Sequence, residues 1–151
     1  MGIPQLRLLS SASETSEPCE PSEAFADRPA VRVARVDGKG RGVVATRAIA
    51  AGEVIERAPV VVIPVAHRAD LERTVLDHYV YDWPNGALAV ALGSGSIYNH
   101  SYAPNATYVK RVDDGELEYI ALVNIADGDE ILVNYNGDPD DRTPLWFDVV
   151  D

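Results

Sequence analysis

The chain has 151 residues and a mass of 16.3 kDa, which predicts a single domain. Apolar residues make up 46% of it, enough for a hydrophobic core, and no stretch approaches the roughly 20 apolar residues that span a bilayer. The formal net charge of −11 argues against direct binding to nucleic acid, which depends on lysine and arginine meeting phosphates.

Residues 1–28 are rich in Ser, Glu and Pro and show no periodicity, so we predict a disordered leader. The leader has neither the apolar run of a signal peptide nor a myristoylation motif, which predicts a cytoplasmic protein. The only cysteine, Cys19, lies here, and we expect no role for it. A single cysteine excludes an internal disulfide and any multi-cysteine zinc site.

The chain then turns to short β-strand patterns. Residues 31–36 begin a strand, the glycine-rich stretch 37–42 predicts a turn, and residues 43–46 predict a second strand. A turn at Ala51-Gly52 leads into residues 53–56. The β-branched run 59–63 is typical of a buried strand.

One helix is predicted, over residues 68–79. Leu71, Val75 and Tyr79 recur every four residues, and Leu76 widens the apolar stripe. This spacing places the apolar side chains on one helical face, which we expect to be buried.

Two hairpins and a closing strand follow. Residues 79–83 and 87–92 flank Pro84-Asn85-Gly86, a tight-turn signal. Residues 107–123 repeat the pattern around Asp113-Asp114-Gly115, and residues 130–135 predict the closing strand. Many short strands with one helix predict a mainly β fold.

Three segments stand out as candidates for chemistry. Gly38-Lys39-Gly40-Arg41-Gly42 frees the backbone to approach a ligand, although an ordinary hairpin turn uses similar residues. Asn99-His100-Ser101, followed by Pro104-Asn105, concentrates polar groups that bind a ligand or cap one another in a loop. Tyr135 ends an apolar strand, where a tyrosine commonly buries its ring and leaves its hydroxyl in water.

A metal site is not predicted. The chain has three histidines, and His67 and His78 lie eleven residues apart on or near the predicted helix. Ser101 lacks a motif that would recommend it as the nucleophile of a catalytic triad.

In this order and spacing, the three segments resemble the SET domain of protein-lysine methyltransferases. Gly40-Arg41-Gly42 with the strands after it resembles the opening of that domain. Asn99-His100-Ser101-Tyr102-Ala103-Pro104-Asn105 matches its Asn-His-Ser-x-x-Pro-Asn signature. Asp127-Gly128-Asp129-Glu130-Ile131, continuing to Tyr135, matches its closing pattern. The resemblance covers about residues 29–137, which we predict as the SET domain, and leaves residues 138–151 as an acidic tail.

The resemblance implies a fold and a cofactor. The fold is the mainly β SET-domain fold (a β-clip), in which short sheets and one helix surround a C-terminal pseudoknot that brings Asn99-His100 next to Tyr135. The cofactor is S-adenosylmethionine. By resemblance, Asn99 holds its amino-acid end, His100 contacts the adenine side, and Tyr135 is the active-site tyrosine, which also borders the cofactor. The opening residues that would line the cofactor, largely through backbone, are Lys39, Gly40, Arg41 and Gly42.

Other features of the family match less fully. Tyr108 lies eight residues after His100, where some members place a second tyrosine of the lysine channel. The Arg-aromatic pair that often precedes the signature is replaced by residues 95–98. Many histone enzymes carry a cysteine-rich zinc segment after the domain. Its absence indicates a small, single-domain member of bacterial type and argues against a histone substrate. Trp146 and Phe147 either cover the adenine instead or simply pack.

The acidic charge is concentrated at one end. Residues 111–151 carry twelve acidic and two basic side chains, a net charge of −10, whereas residues 29–110 have a net charge of +2. This stretch either keeps the domain soluble or attracts a basic, lysine-bearing protein or peptide. We therefore predict a lysine N-methyltransferase with a basic protein substrate. The alternatives are an inactive SET-like module that only binds a peptide, and a structural β domain with coincidental motifs.

Overall fold

The computed structural model describes residues 29–149, so the predicted leader 1–28 with Cys19 and the last two residues lie outside the described range. Within that range the chain forms nine strands and one short α-helix. The strands are β1 Val31–Val36, β2 Gly40–Ala45, β3 Val54–Ile63, β4 Val80–Asp82, β5 Leu88–Ala91, β6 Asn99–His100, β7 Ala106–Arg111, β8 Glu116–Ala121 and β9 Glu130–Val133. The helix is α1, Arg68–Leu71. The mainly β fold class is confirmed, and no helix among the described residues is long and apolar enough to cross a membrane.

Both predicted hairpins are present, and their turns explain why they form. Between β4 and β5, Asn85 and Gly86 adopt φ values of 60° and 75°. Between β7 and β8, Gly115 adopts a φ of 67°. Left-handed backbone is accessible to glycine and tolerated by asparagine, so these residues allow the chain to reverse sharply.

The strands form two sheets that share one core. The first sheet has the order β1-β2-β9-β6 and the second has the order β4-β5-β3-β8-β7. Buried side chains from both sheets make one apolar cluster, which includes Val43, Ile131 and Val133 from the first sheet and Ala58 and Leu117 from the second. This core fixes the relative position of the two sheets.

The closing strand β9 lies between β2 and β6. It pairs antiparallel with β2, and it pairs parallel with β6, with Asn99 opposite Leu132 and His100 opposite Val133. This pairing corresponds to the predicted pseudoknot. It confirms the expectation that Asn99-His100 lies beside Tyr135, although 35 positions separate His100 from Tyr135 along the chain.

The predicted helix over residues 68–79 is much shorter in the structure. The α-helix ends at Leu71, and Thr74 is extended, with φ −117° and ψ 166°. The Thr74 hydroxyl accepts a hydrogen bond from the amide of Leu76. Thr74 thereby caps a separate 3₁₀ segment, Val75–Tyr79. A threonine that bonds locally to the backbone in this way competes with helix continuation. Only Leu71 of the predicted stripe is buried, and Val75 is 75% exposed.

Two further expectations about the strands were wrong. Residues 59–63 form the far end of β3, yet Val61 and Val62 are 48% and 44% exposed. From Val60 onward β3 pairs with β5 but has passed the end of β8, so this end of the strand is not enclosed. The predicted turn 37–42 is also shorter, because β2 already begins at Gly40, which pairs with Val36.

Candidate active site

The site begins where β9 leaves the core. The backbone amide of Tyr135 donates a hydrogen bond to Nδ1 of His100 at 3.1 Å, and the two rings lie 5.3 Å apart. His100 is buried, and the ring of Tyr102 packs edge-on against it at 4.5 Å. The imidazole therefore fixes the backbone of the closing segment just where Tyr135 emerges.

The Tyr135 hydroxyl points back into the protein. It donates a hydrogen bond of 2.7 Å to the carbonyl oxygen of Tyr98. Burial raises the pKa of Tyr135 to about 12, so the phenol stays protonated at neutral pH. With its hydrogen directed to Tyr98, the phenolic oxygen retains lone pairs that can accept a hydrogen bond from a ligand.

Five tyrosines form a cluster around this hydroxyl, which we call the tyrosine cluster: Tyr81, Tyr98, Tyr108, Tyr119 and Tyr135. Tyr98 and Tyr119 stack with ring centroids 4.2 Å apart, and Tyr108 packs edge-on against Tyr81 at 5.1 Å. The hydroxyls of Tyr81 and Tyr119 both donate to the carbonyl oxygen of Gly95, at 2.7 and 2.6 Å. Stacked rings with bonded hydroxyls make a rigid wall.

One carboxylate supports this wall. Glu56 accepts a 2.9 Å hydrogen bond from the Tyr98 hydroxyl and a second bond, of 3.1 Å, from the backbone amide of Ser94. Gly95 is buried there, since an added Cβ would lie 2.6 Å from Ala91 and 2.8 Å from Ala58. The family's usual Arg-aromatic pair is thus replaced by a tightly packed turn that presents a carbonyl to two tyrosines.

The tyrosine cluster predicts a pH dependence of stability. Burial raises the pKa of every member, so each phenol ionises at higher pH in the folded protein than in the unfolded chain, where the pKa is about 10. The cluster's contribution is complete below pH about 10 and falls as the pH rises further; the part due to Tyr135 is lost between about pH 10 and 12. Urea unfolding followed at several alkaline pH values, alongside phenolate absorbance, measures this. A free energy of unfolding that does not fall across that range would contradict it.

A large cavity opens on one side of the tyrosine cluster. Its volume is about 690 Å³. Tyr81, Tyr98, Tyr108 and Tyr135 line its wall, and its charged lining side chains are Arg68, Asp77, Asp82 and Lys110. An aromatic wall with a charged rim suits a long apolar side chain that ends in a polar group.

A second, smaller cavity has a volume of about 200 Å³. Tyr135 belongs to the lining of both cavities, so the two spaces meet at this residue. The other residues that line the smaller cavity are Gly38, Lys39, Asn99, His100, Phe147, Asp148 and Val149.

The structure separates the sequence-predicted cofactor residues into two groups. Lys39, Asn99, His100 and Tyr135 line the smaller cavity. Gly40, Arg41 and Gly42 do not, within the described range. The Arg41 guanidinium instead lies 3.4 Å from the hydroxyl of Tyr79, which lines the larger cavity. The predicted second channel tyrosine, Tyr108, lines the larger cavity with Tyr135.

Gly42 is buried and has a packing reason to be glycine. A Cβ at this position would lie 2.6 Å from Oε1 of Glu130 and 2.8 Å from Nδ2 of Asn99. Only a residue without a side chain leaves room for these two groups to meet. Gly42 was predicted to line the cofactor. Glu130 was not predicted as a site residue, although it lies in the closing motif.

The chain after β9 is bonded to the site. The Asn134 and Asn136 amides donate to the carbonyls of Asp141 and Thr143, at 2.6 and 2.9 Å. The Tyr102 hydroxyl donates to the same Thr143 carbonyl and accepts from the amide of Leu145. Residues 138–145 are thus held against the Asn-His-Ser segment.

The next two residues, Trp146 and Phe147, line the two cavities. Phe147 lines the smaller cavity, with its ring 6.4 Å from His100 and 6.2 Å from Tyr135. Trp146 lines the larger cavity and is 71% exposed. The pair therefore borders both cavities, which the sequence left open.

Comparison with known proteins assigns this arrangement to a family. The family model of the SET domain matches residues 40–136. The chain belongs to the SET domain family. A SET-domain relative from Schizosaccharomyces pombe, a histone-lysine N-methyltransferase named as specific for lysine 37 of histone H3, is 33% identical over 122 residues, which are 80% of this chain and 79% of the relative.

A solved structure agrees. The crystal structure of a candidate histone methyltransferase from Plasmodium falciparum matches with a TM-score of 0.62 and 28% identity, covering 72% of this chain and 94% of that chain. The predicted family, the SET-domain fold and a protein-lysine methyltransferase activity are thereby confirmed. The bacterial type, the domain bounds 29–137 and the roles of single residues stay predictions.

Proposed function

We propose that this SET domain transfers a methyl group from S-adenosylmethionine to the side-chain amine of a lysine in a basic protein segment. The observation that carries the proposal is the meeting of two cavities at Tyr135. One cavity is small and lined by polar groups and aromatic rings, as a nucleoside cofactor requires. The other is larger and walled by tyrosines, as an extended lysine side chain requires.

The residues of the smaller cavity fit S-adenosylmethionine by their chemistry. The Asn99 amide and the Lys39 ammonium would hold its zwitterionic amino-acid end, and the rings of His100 and Phe147 would border its adenine. When bound, S-adenosylmethionine supplies a methyl group on a positively charged sulfur, which an uncharged amine takes up by in-line displacement. Asn99, Lys39, His100 and Phe147 are the residues that we expect to hold it.

The lysine must lose a proton before it reacts. A free lysine has a pKa of about 10.4, so neutralising it at pH 7.4 costs roughly 4 kcal/mol. The ring-walled cavity disfavours the ammonium by excluding water, which lowers this cost. The neutral amine is thereby formed at a lower free-energy cost than in water.

Tyr135 orients that amine. Its hydroxyl hydrogen is bonded to the Tyr98 carbonyl at 2.7 Å, which leaves the phenolic oxygen to accept from an amine N–H. Because the pKa of Tyr135 is raised to about 12, this arrangement persists at the pH of the reaction. Catalysis then depends mainly on orientation, which alone contributes several kcal/mol in well-aligned reactions. We assign Tyr108, on the same wall, as the second tyrosine that guides the lysine.

The relative's name points to the first substrate to test. The S. pombe relative is named for lysine 37 of histone H3. A peptide spanning that lysine is therefore the first defined substrate, and arginine- and lysine-rich peptides of other sequence test the broader class. The cytoplasmic location and the lack of direct nucleic-acid binding remain predictions.

Labelled methyl transfer tests the proposal directly. Purified protein, labelled S-adenosylmethionine and histone or whole-cell lysate are combined, and mass spectrometry identifies the modified residue. We expect label on lysine only. Cofactor binding by calorimetry without any transfer would support the inactive peptide-binding module, and absence of cofactor binding would overturn the proposal.

Asp82 provides a test of charge selection by the larger cavity. It lines the cavity, its side chain is 80% exposed, and Arg68 lies 3.6 Å away. Asp82→Asn should lower kcat/KM for a basic peptide roughly two- to fivefold at low salt, the scale of one exposed charge. Cofactor affinity should not change. Asp127→Asn, an exposed acid away from both cavities, is the matched control, and an equal loss in both variants would contradict selection by Asp82.

We prefer Asp82 to the acidic tail for this test because two tail carboxylates are structural. Asp138 accepts a hydrogen bond from the amide of Asp140, and Asp141 accepts one from the amide of Thr143. Hydrogen bonds from the Thr143 side chain and then from its backbone amide lower the pKa of Asp141. Neutralising the tail acids would therefore disturb the segment that carries Phe147, and it would no longer report charge alone.

Phe147 and Trp146 give a matched pair for the cofactor side. Phe147→Ala should weaken S-adenosylmethionine binding roughly three- to tenfold, because the ring that we place against the adenine is removed. Trp146→Ala should leave that affinity unchanged and instead raise KM for the peptide. Calorimetry and peptide kinetics on both variants decide the matter. Equal effects of the two substitutions on cofactor affinity would show only a general loosening of the tail.

A further inference from the structure

Glu130 stands behind the smaller cavity and contacts two of the side chains that line it. Its Oε1 accepts a 2.7 Å hydrogen bond from Nδ2 of Asn99, and its Oε2 lies 3.6 Å from Nζ of Lys39. The side chains of Lys39 and Glu130 are only 12% and 17% exposed. Among the residues that the structure describes, Glu130 is not part of the cavity lining, so its contacts with the lining are those with these two partners.

The hydrogen bonds of Asn99 determine what its amide can offer. Nδ2 carries two hydrogens, and it donates to Oε1 of Glu130 and to the carbonyl oxygen of Arg41, at 2.7 and 3.0 Å. Both of these oxygens can only accept, so the nitrogen end of the amide must face them. Asn99 can therefore offer the cavity only its acceptor, Oδ1.

Gly42 makes this arrangement possible. An added Cβ would come within 2.8 Å of both Oε1 of Glu130 and Nδ2 of Asn99. Because Gly42 has no side chain, the backbone of β2 can lie directly against the hydrogen bond between Glu130 and Asn99.

We propose that Glu130 is the positioning residue for the amino-acid end of the cofactor. It fixes Asn99 Oδ1 as the acceptor for the α-ammonium and holds Lys39 Nζ as the cation for the α-carboxylate. The two partners of one carboxylate are thereby complementary to the two charges of a zwitterion. The inference rests on the proposed function, because it assumes an S-adenosyl cofactor in the smaller cavity.

Glu130→Gln tests the proposal with two ligands. A glutamine can donate as well as accept, so the Asn99 amide loses its fixed orientation and Lys39 loses its anion. Affinity for S-adenosylhomocysteine, which has the zwitterion, should fall roughly 10- to 100-fold, the scale of a hydrogen bond to a charged group. Affinity for 5′-methylthioadenosine, which lacks the amino-acid end, should stay within about twofold. Neither ligand carries the sulfonium charge, so an attraction between the sulfonium and Glu130 does not enter the comparison.

Glu53→Gln is the matched control. Glu53 forms a 2.6 Å ion pair with Arg47 away from both cavities, so this substitution should change neither affinity. Equal losses for both ligands in Glu130→Gln would show a merely structural role, and no loss would also overturn the proposal. A wild-type protein that binds neither ligand would instead overturn the proposed function.

A second variant keeps the test decisive if Glu130→Gln fails to fold. Lys39 lies in the turn before β2, so Lys39→Gln changes no residue of a strand. This substitution should lower the affinity for S-adenosylhomocysteine and leave the affinity for 5′-methylthioadenosine unchanged. A loss shared by both ligands, or no loss, would overturn the assignment of Lys39 and Glu130.

Discussion

Replacing Tyr135 with phenylalanine should lower methyl transfer roughly 100-fold or more, in the range seen when a positioned catalytic group is removed. The ring stays, so its packing against His100 and Phe147 is kept. What disappears is the hydroxyl that we expect to orient the amine. Its bond to the Tyr98 carbonyl also disappears, which should cost about 1 kcal/mol of folding stability.

Tyr119→Phe is the control for this prediction. It removes the same group from the tyrosine cluster, where the hydroxyl bonds to the Gly95 carbonyl at 2.6 Å, but Tyr119 does not line either described cavity. It should cost stability and leave single-turnover methyl transfer within a few-fold of wild type. Wild-type turnover in a folded Tyr135→Phe protein, or an equal loss in Tyr119→Phe, would remove Tyr135 from the catalytic role.

Local sequence signals predicted the hairpins well because the turn residues leave few choices. Asn85, Gly86 and Gly115 all adopt left-handed backbone, which asparagine and glycine reach at low cost. Strand pairing on either side then follows from chain reversal alone. The family motifs added the long-range pairing of β6 with β9, which no periodicity in the sequence could have shown.

Two predictions that depended on neighbouring parts of the fold were wrong. The spacing of Leu71, Val75 and Tyr79 is helical, but a local hydrogen bond at Thr74 competes with continuation of the helix. No element within residues 29–149 covers Val75, which is 75% exposed. The apolar run 59–63 looked buried because its composition is that of a core strand. Its exposure follows from where β8 ends, which is a property of the sheet and not of the run.

In the site, too, the residues named by a motif were predicted, and a residue whose role depends on the fold was not. Asn99, His100 and Tyr135 were found because the motif names them. Glu130 was missed because a carboxylate in an acidic segment resembles the solvated charges around it, and only the structure shows that it is largely buried between Lys39 and Asn99. The one signal available was its place in the closing motif. Its proximity to Gly42 depends on the pairing of β2 with β9, which the sequence alone does not show.

Asn99→Ala should weaken binding of S-adenosylmethionine by roughly 1–3 kcal/mol, the cost of leaving a polar partner without its hydrogen bond. The substitution removes the acceptor that we assign to the α-ammonium, and it also leaves Glu130 and the Arg41 carbonyl without the amide that bonds to both. Since Asn99 would touch the ligand and Glu130 would not, the loss should be at least as large as in Glu130→Gln.

Asn124→Ala is the control for Asn99→Ala. The Asn124 side chain also bonds to backbone, accepting from the amide of Ala51 at 2.9 Å, but it lies outside both cavities. It should cost stability without changing cofactor affinity. Calorimetry with S-adenosylmethionine, combined with thermal unfolding of both variants, separates the two effects. If Asn99→Ala bound the cofactor as tightly as wild type, the amino-acid end would have to be held by other groups, and the assignments of Asn99 and Glu130 would fall together.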